Sequence, residues 1–139
     1  MQFEIQSYVG AGSIQLGMPI SKVRGLMGTA TPFRKSSDSK YPTDAFDDVG
    51  IHVHYDDTGA AEAIEFMSPS TPVLEKEWIL GRPFSELRTW IAGKDPDVQV
   101  DGSGLTSLLL GIGLYADGVN KDPSLPVEGV IVFRKGYYD

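Results

Sequence analysis

The sequence predicts an α+β protein in which two tandem helix-plus-strands repeats form one antiparallel sheet, with the two helices packed on one face. Three observations support this prediction. The segment Leu-Gly-x-Pro occurs at residues 16–19 and again at residues 80–83. Each copy is followed by apolar residues at the spacing of a short, one-sided helix. Several segments with the alternation of strands come after each helix.

The first repeat is preceded by two short extended segments. A strand is expected at residues 3–9, where Phe3 and Ile5 alternate with polar neighbours, and a second extended piece at residues 13–16. The first helix is expected over residues 19–28. Proline is tolerated in the first turn of a helix, and glycine commonly follows its end.

Four strands are expected after this helix. They are predicted at residues 33–35, 44–46, 50–55 and 61–67. The last two form a hairpin, because residues 56–59 have the composition Asp-Asp-Thr-Gly, which is typical of a tight turn.

The second repeat follows the same order. A helix is expected from residue 83 to residue 92, and strands at residues 98–101, 106–110, 111–115 and 128–133. We therefore expect a single domain over residues 1–139. Within it, repeat 1 covers about 14–67, a linker about 68–76 and repeat 2 about 77–134.

The repeated segment has the pattern Ile-x-Leu-Gly-Met-x-x-x-x-Val-Arg-x-Leu-Met-Gly at residues 14–28. This pattern resembles the repeat of the β-lactamase inhibitory protein and of the SmpA/OmlA outer-membrane assembly lipoproteins. The tandem arrangement resembles the two repeats of the inhibitory protein in particular. The resemblance implies a scaffold that binds other proteins through an exposed sheet face and loops. A bacterial immunity protein, which inhibits a toxin in the cytoplasm, is one use that fits an acidic chain without cysteine.

Composition excludes several classes of protein. The chain has no cysteine, so it has no disulfide and no thiolate nucleophile. It also lacks a run of about 18 apolar residues that could span a membrane. Residues 41–75 contain eight Asp and Glu and no Lys or Arg, a local charge of −8 against −7 for the whole chain. Such a surface repels nucleic acid and anionic membranes, and it either keeps the protein soluble or steers a basic protein partner. Because the sequence shows no cysteine, no membrane-spanning run and no signal-peptide pattern, we expect a cytoplasmic protein.

Candidate chemistry is densest at His52, His54 and Asp56. Alternate residues of a strand share a face, so these three would project together, and two imidazoles with a carboxylate could bind a metal ion. However, the chain contains only two histidines. The second repeat has Gly113 and Tyr115 where the first has His52 and His54, so the pair is not required by the repeat. We therefore favour a protein interface over a metal site.

The sequence thus predicts a non-enzymatic protein-binding module, an immunity-type inhibitor that binds a basic toxin or enzyme through the open sheet face and acidic loops. No nucleic acid, membrane, metal or cofactor is expected, and the protein should be a monomer or a weak homodimer. The residues expected to contact the partner are Asp47, Asp48, His52, His54, Asp56, Asp57 and Tyr115. Two alternatives stay open: a small metal-dependent enzyme that uses His52, His54 and Asp56, and a structural module that self-associates through a sheet edge or through Tyr137 and Tyr138.

Overall fold

Thirteen strands and two helices are present in residues 2–34 and 36–138, the part of the chain that the computed structural model describes. In chain order the strands are β1 (Gln2–Gln6), β2 (Gly10–Ala11), β3 (Ile14–Gln15), β4 (Thr31–Phe33), β5 (Thr43–Phe46), β6 (Ile51–Tyr55), β7 (Ala61–Met67), β8 (Thr71–Leu74), β9 (Glu77–Trp78), β10 (Gln99–Asp101), β11 (Gly104–Ser107), β12 (Ile112–Tyr115) and β13 (Gly129–Phe133). The helices are α1 (Ile20–Met27) and α2 (Phe84–Lys94).

The larger of two sheets has eight strands in the order β10-β11-β12-β13-β7-β6-β5-β4. Every neighbouring pair in it is antiparallel. The strands β4–β7, which come after α1, are contiguous, and so are β10–β13, which come after α2. The two groups meet where β7 pairs with β13. Lys35, which the sequence prediction placed at the end of a strand, lies outside the described residues.

The predicted fold class is wrong, because the chain forms two sheets rather than one. The second sheet has five strands in the order β3-β2-β1-β8-β9. With 40% of residues in strands and 14% in two short helices, the protein is mostly β-sheet. The α+β arrangement of a single sheet covered by two helices is therefore not the architecture of this chain.

The segment predicted as a linker supplies part of the second sheet. Within residues 68–76 lies β8, which pairs in parallel with β1. Phe3 and Ile5 of β1 are buried, and so are Val73 and Leu74 of β8. A buried strand needs partners for its backbone N–H and C=O groups, and β8 satisfies one edge of β1. The alternation of apolar and polar residues along β1 or β8 does not show that these two segments, far apart in the chain, pair with each other.

Both helices begin directly after a proline, Pro19 for α1 and Pro83 for α2. The end of α1 is set by Gly28, whose φ of 88° is a conformation that glycine adopts most easily. The N–H of Gly28 donates to the carbonyl of Arg24 at 2.9 Å. Helix α2 ends at Lys94, slightly beyond the predicted end.

One apolar core joins the helices and both sheets. Val23 of α1 and Leu87 of α2 are fully buried in the same cluster as Val132, in the middle of the large sheet. Phe3 of the small sheet packs on Phe66 of the large sheet, with ring centroids 5.3 Å apart. The helices and the small sheet therefore cover one face of the large sheet. We call the opposite face of the large sheet the open face.

Candidate functional site

A row of side chains crosses the open face at right angles to the strands. From β11 to β5, the residues that lie opposite one another are Thr106, Gly113, Ile131, Glu65, His52 and Ala45. Their neighbours along each strand, such as Val53 and Val130, are buried in the core. Because successive side chains alternate between the two faces, the register that buries the core also determines which residues reach the open face.

A groove of 490 Å³ lies on the open face, over β7 and β10–β13. Its lining includes glycine on three neighbouring strands, Gly104, Gly113 and Gly129, so side chains cover little of the sheet there. Tyr115 and Tyr138 also line the groove, with 49% and 57% of their surfaces exposed. Ligand-binding clefts have volumes of about 300–1,000 Å³, so the groove has the size of a binding site.

Three carboxylates line this groove, those of Glu65, Asp101 and Glu128. None of the lining residues in the described part of the chain is Lys, Arg or His. The pKa of Tyr138 is raised first by burial and then by negative charge on Tyr137, Glu65 and Asp101. Like charges on the walls of a cleft reinforce one another, so the groove favours a cation.

An aromatic cluster on the open face holds the segment that follows β13. Phe133 is 1% exposed and forms the centre of the cluster. The ring of Tyr137 stacks on it with centroids 5.8 Å apart, and the ring of Tyr138 contacts it edge-on at 5.0 Å. The ring centroid of Tyr8 lies 6.1 Å from that of Phe133. These contacts fix Tyr138 at the wall of the groove.

The two histidines have different environments. His54 is buried, with its Nδ1 2.9 Å from the hydroxyl of Thr43 and its Nε2 in contact with the carboxylate of Glu65. The side chain of His52 is 22% exposed, and its Nε2 lies 3.3 Å from Oδ1 of Asp47. Because both ring nitrogens of His54 already have partners, a metal ion could bind this imidazole only by displacing one of them.

Asp56 does not join the histidines. Strand β6 ends before it, with a register shift between His54 and Tyr55. Its Oδ1 accepts hydrogen bonds from the N–H and the hydroxyl of Thr58 at 2.8 and 2.6 Å, and its Oδ2 lies 3.1 Å from Arg134. Burial pushes the pKa of Asp56 up, but the hydrogen bonds and Arg134 outweigh this effect and lower it. Among residues 2–34 and 36–138, no group of three or more His, Asp and Glu side chains is arranged to hold a metal ion.

Asp56→Asn is expected to lower the free energy of unfolding by about 1 kcal/mol near neutral pH, because a neutral amide is a weaker acceptor and does not attract Arg134. The pKa of Asp56 is lower in the folded protein than in the unfolded chain. Its stabilisation is therefore present above about pH 4 and is lost as the pH falls through the folded-state pKa. Urea denaturation at about pH 7 and about pH 3 measures this difference.

The exposed neighbour Asp57 provides the matched control for this measurement. Asp57→Asn makes the same change in charge and should leave the stability near the wild-type value, as is usual for a surface substitution. A loss in Asp56→Asn that has the same size at both pH values would contradict a charge-dependent role for Asp56.

The residues predicted to contact a partner fall into two places on the molecule. The exposed carboxylates among them are Asp47, Asp48 and Asp57, in the turns that flank β6. Tyr115 lies three strands away, on β12, where it lines the groove. Glu65 connects the two places, because it faces His52 across the β6–β7 pair and also lines the groove.

Three basic residues from outside the acidic window at residues 41–75 pair with four of its eight carboxylates. The pairs are Asp44 with Arg24, Asp56 and Glu62 with Arg134, and Glu75 with Lys94. Two of the three groove carboxylates, Asp101 and Glu128, come instead from the second half of the chain. Sequence analysis missed them, since nothing in the charge pattern distinguishes them from other exposed acids. The sequence signal that pointed to the groove was the presence, in the second repeat, of Gly113 and Tyr115 at the positions of the two histidines.

Comparisons of this chain with protein-family models, with curated proteins and with solved structures found no match. Of the helices in the described ranges 2–34 and 36–138, neither is long and apolar enough to cross a lipid bilayer. The functional proposal therefore rests on the geometry and charge of the open face.

Proposed function

We propose that this protein is a non-enzymatic binding module that recognises a basic protein partner through the groove on its open face. The observation that carries the proposal is the combination of three carboxylates and two tyrosines in one groove, whose described lining contains no basic residue. A Lys or Arg side chain on a partner would find opposite charge and aromatic surface together there.

The dimensions of the groove suit a polypeptide better than a small ion. The groove crosses the five neighbouring strands β7, β13, β12, β11 and β10. In a flat sheet these strands would extend over about 19 Å, the length of several residues of an extended chain. Half-exposed tyrosines such as Tyr115 and Tyr138 offer a large contact area with little loss of side-chain freedom, which is why tyrosine is enriched at binding sites.

The biological role that we propose is that of an immunity-type inhibitor in the cytoplasm, as the repeat resemblance implies. A chain with no cysteine suits a compartment where thiols stay reduced. The net charge of −7 would speed the approach of a basic toxin or enzyme and orient it toward the open face. Inhibition would follow because the bound module covers the partner's active surface.

The exposed carboxylates Asp47, Asp48 and Asp57 would act at the edge of this interface. Charges at the rim of an interface mainly change the rate of association and its dependence on salt. The groove residues, which line one concave site, would contribute more to the lifetime of the complex.

The double variant Asp101→Asn, Glu128→Gln is expected to bind a basic partner about 10-fold more weakly, because it removes two of the three groove charges. Immobilised wild-type protein would be used to capture a partner from the native host, and the captured protein would then be purified. Its dissociation constant for the wild type and for the variant is the quantity to compare.

The control variant Glu4→Gln, Asp97→Asn changes the net charge by the same amount at exposed positions outside the groove. It should bind the purified partner nearly as tightly as the wild type does. Equal binding by the groove variant and the wild type would show that the groove is not the interface. Capture of only acidic proteins would contradict the expected charge of the partner.

A further inference from the structure

We infer that the groove is built to receive an arginine side chain of the partner, with the guanidinium group against the tyrosine rings and paired with a groove carboxylate. This inference rests on the proposed function, and it adds the identity of the side chain that anchors the partner. It is carried by the floor of the groove, by its walls and by the charges around Tyr138.

Two glycines in the floor of the groove differ: the backbone requires glycine at position 104 but not at position 129. At Gly104 a Cβ atom would lie 1.8 Å from the carbonyl oxygen of Leu114, so the fold itself demands glycine. At Gly129 the nearest atoms to a Cβ would be the carbonyl oxygen of Phe66 and the Cβ of Tyr115, both at an ordinary 3.7 Å. A side chain would therefore fit at Gly129, and its absence leaves space beside the ring of Tyr115.

The walls favour arginine over lysine. A guanidinium group is planar, stacks on aromatic rings and donates two parallel hydrogen bonds to a carboxylate. Tyr115 and Tyr138 offer ring surface, and Asp101 offers a carboxylate in the same groove. The carboxylate of Glu65 already contacts Nε2 of His54 and adds negative charge from the opposite side. A lysine ammonium group is compact and more strongly hydrated, so it would use the charges but gain less from the flat space above Gly129.

The surroundings of Tyr138 support a site for a cation at this place. Asp101 lies on the edge strand β10, whereas Glu65 lies on β7, four strands away. The negative charges of both carboxylates nevertheless reach the same hydroxyl group and raise the pKa of Tyr138. The contacts of Tyr138 with Phe133 and Tyr137 hold it in this position. A guanidinium group beside the Tyr138 ring would lie between these charges.

The inference is tested with three small probes, N-acetylarginine amide, N-acetyllysine amide and N-acetylcitrulline amide. Citrulline has nearly the shape of arginine but no charge. Two-dimensional NMR of the labelled protein would follow the amide signals of Gly113 and Gly129. We expect the arginine probe to shift these signals saturably and to bind about 5-fold more tightly than the lysine probe, with no saturable shift by citrulline.

Gly129→Leu is the decisive variant, because its side chain would fill the space above the strand. We expect it to bind the arginine probe about 10-fold more weakly while it remains folded. The matched control is Gly93→Leu, on the exposed side of α2, where a Cβ meets nothing within 4 Å. The control should bind the probe as the wild type does. Asp101→Asn, at an exposed position, serves as a second variant and should weaken arginine binding about 3-fold.

The outcomes separate this inference from the proposed function. Equal binding of the arginine and lysine probes, or unchanged arginine binding in Gly129→Leu and Asp101→Asn, would overturn the arginine site. In that case, weaker binding of a captured basic partner by the double variant Asp101→Asn, Glu128→Gln would still support the proposed function. Only the arginine anchor would then be wrong. If arginine binds but no basic partner depends on the groove charges, the proposed function falls.

Discussion

Replacing Arg24 with alanine is expected to lower the free energy of unfolding by about 3 kcal/mol, because it leaves a buried carboxylate without its cation. Asp44 is fully buried and accepts hydrogen bonds from Nε and Nη2 of Arg24 at 2.9 and 2.8 Å. The hydroxyl of Tyr55 donates a third at 2.8 Å, and burial together with this bond raises the pKa of Tyr55, which stays a donor. One hydroxyl cannot replace the charge and the two donors of Arg24.

The second half of the chain supplies a matched control for this variant. Arg88 occupies the same position in α2 that Arg24 occupies in α1, and it is exposed. The residue of β11 that corresponds to Asp44 in register is Leu105, so an apolar side chain stands at the position that the buried carboxylate occupies in the first half. Arg88→Ala should therefore change the free energy of unfolding by less than about 0.5 kcal/mol.

Thermal denaturation distinguishes the two variants. For a chain of this length, a loss of about 3 kcal/mol lowers the melting temperature by about 10 °C. Arg24→Ala should show this decrease, while Arg88→Ala should melt within about 2 °C of the wild type. Equal melting temperatures for the two variants would show that the Asp44 ion pair does not stabilise the fold.

Phe133→Ala is the second substitution with a large expected effect, a loss of about 3–4 kcal/mol in the free energy of unfolding. Phe133 is 1% exposed, and it lies on the open face rather than in the main core. Its removal would leave a cavity beside Tyr137, which stacks on it, and Tyr138, which contacts it edge-on. Because these contacts hold Tyr138 at the groove, binding of the arginine probe should weaken together with stability.

Tyr138→Ala separates the effect of the aromatic cluster on stability from its effect on arginine binding. Tyr138 is 57% exposed, so its removal should reduce the free energy of unfolding by less than about 1 kcal/mol. It should still weaken arginine binding, because the groove loses one aromatic wall. Urea denaturation and NMR titration of both variants provide the comparison. Full arginine binding by a folded Phe133→Ala protein would show that the cluster does not position the groove.

The proposed site lies where the two halves of the chain differ. On the open face of the first half, His52 and His54 fill the space above the strands and contact acidic neighbours. The second half has Gly113 and Tyr115 at the matching positions, and its face is bare enough to form a groove. The repeat supplies the scaffold, and the differences between its copies leave the groove on the second half.

The sequence by itself determined many of the local elements of the structure, although it did not predict β2, β8 or β9. The helices begin directly after Pro19 and Pro83, one residue later than predicted, and the hairpin predicted at residues 50–55 and 61–67 agrees with β6 and β7. These features depend on residues close together in the chain: the fixed φ of proline, the alternation of apolar side chains, and turn residues between them. Composition also established the acidic charge and the absence of cysteine.

The tertiary structure alone decided which distant segments meet. It paired the predicted linker with β1 to form a second sheet, and it placed the exposed side chain of Arg24 against the buried carboxylate of Asp44. It also brought Glu65, Asp101 and Tyr138 to one groove. An alternating pattern shows that a segment has a buried face, but not which strand lies beside it. Strand order and register are set by the packing of the whole core. Together they determine which side chains line the groove.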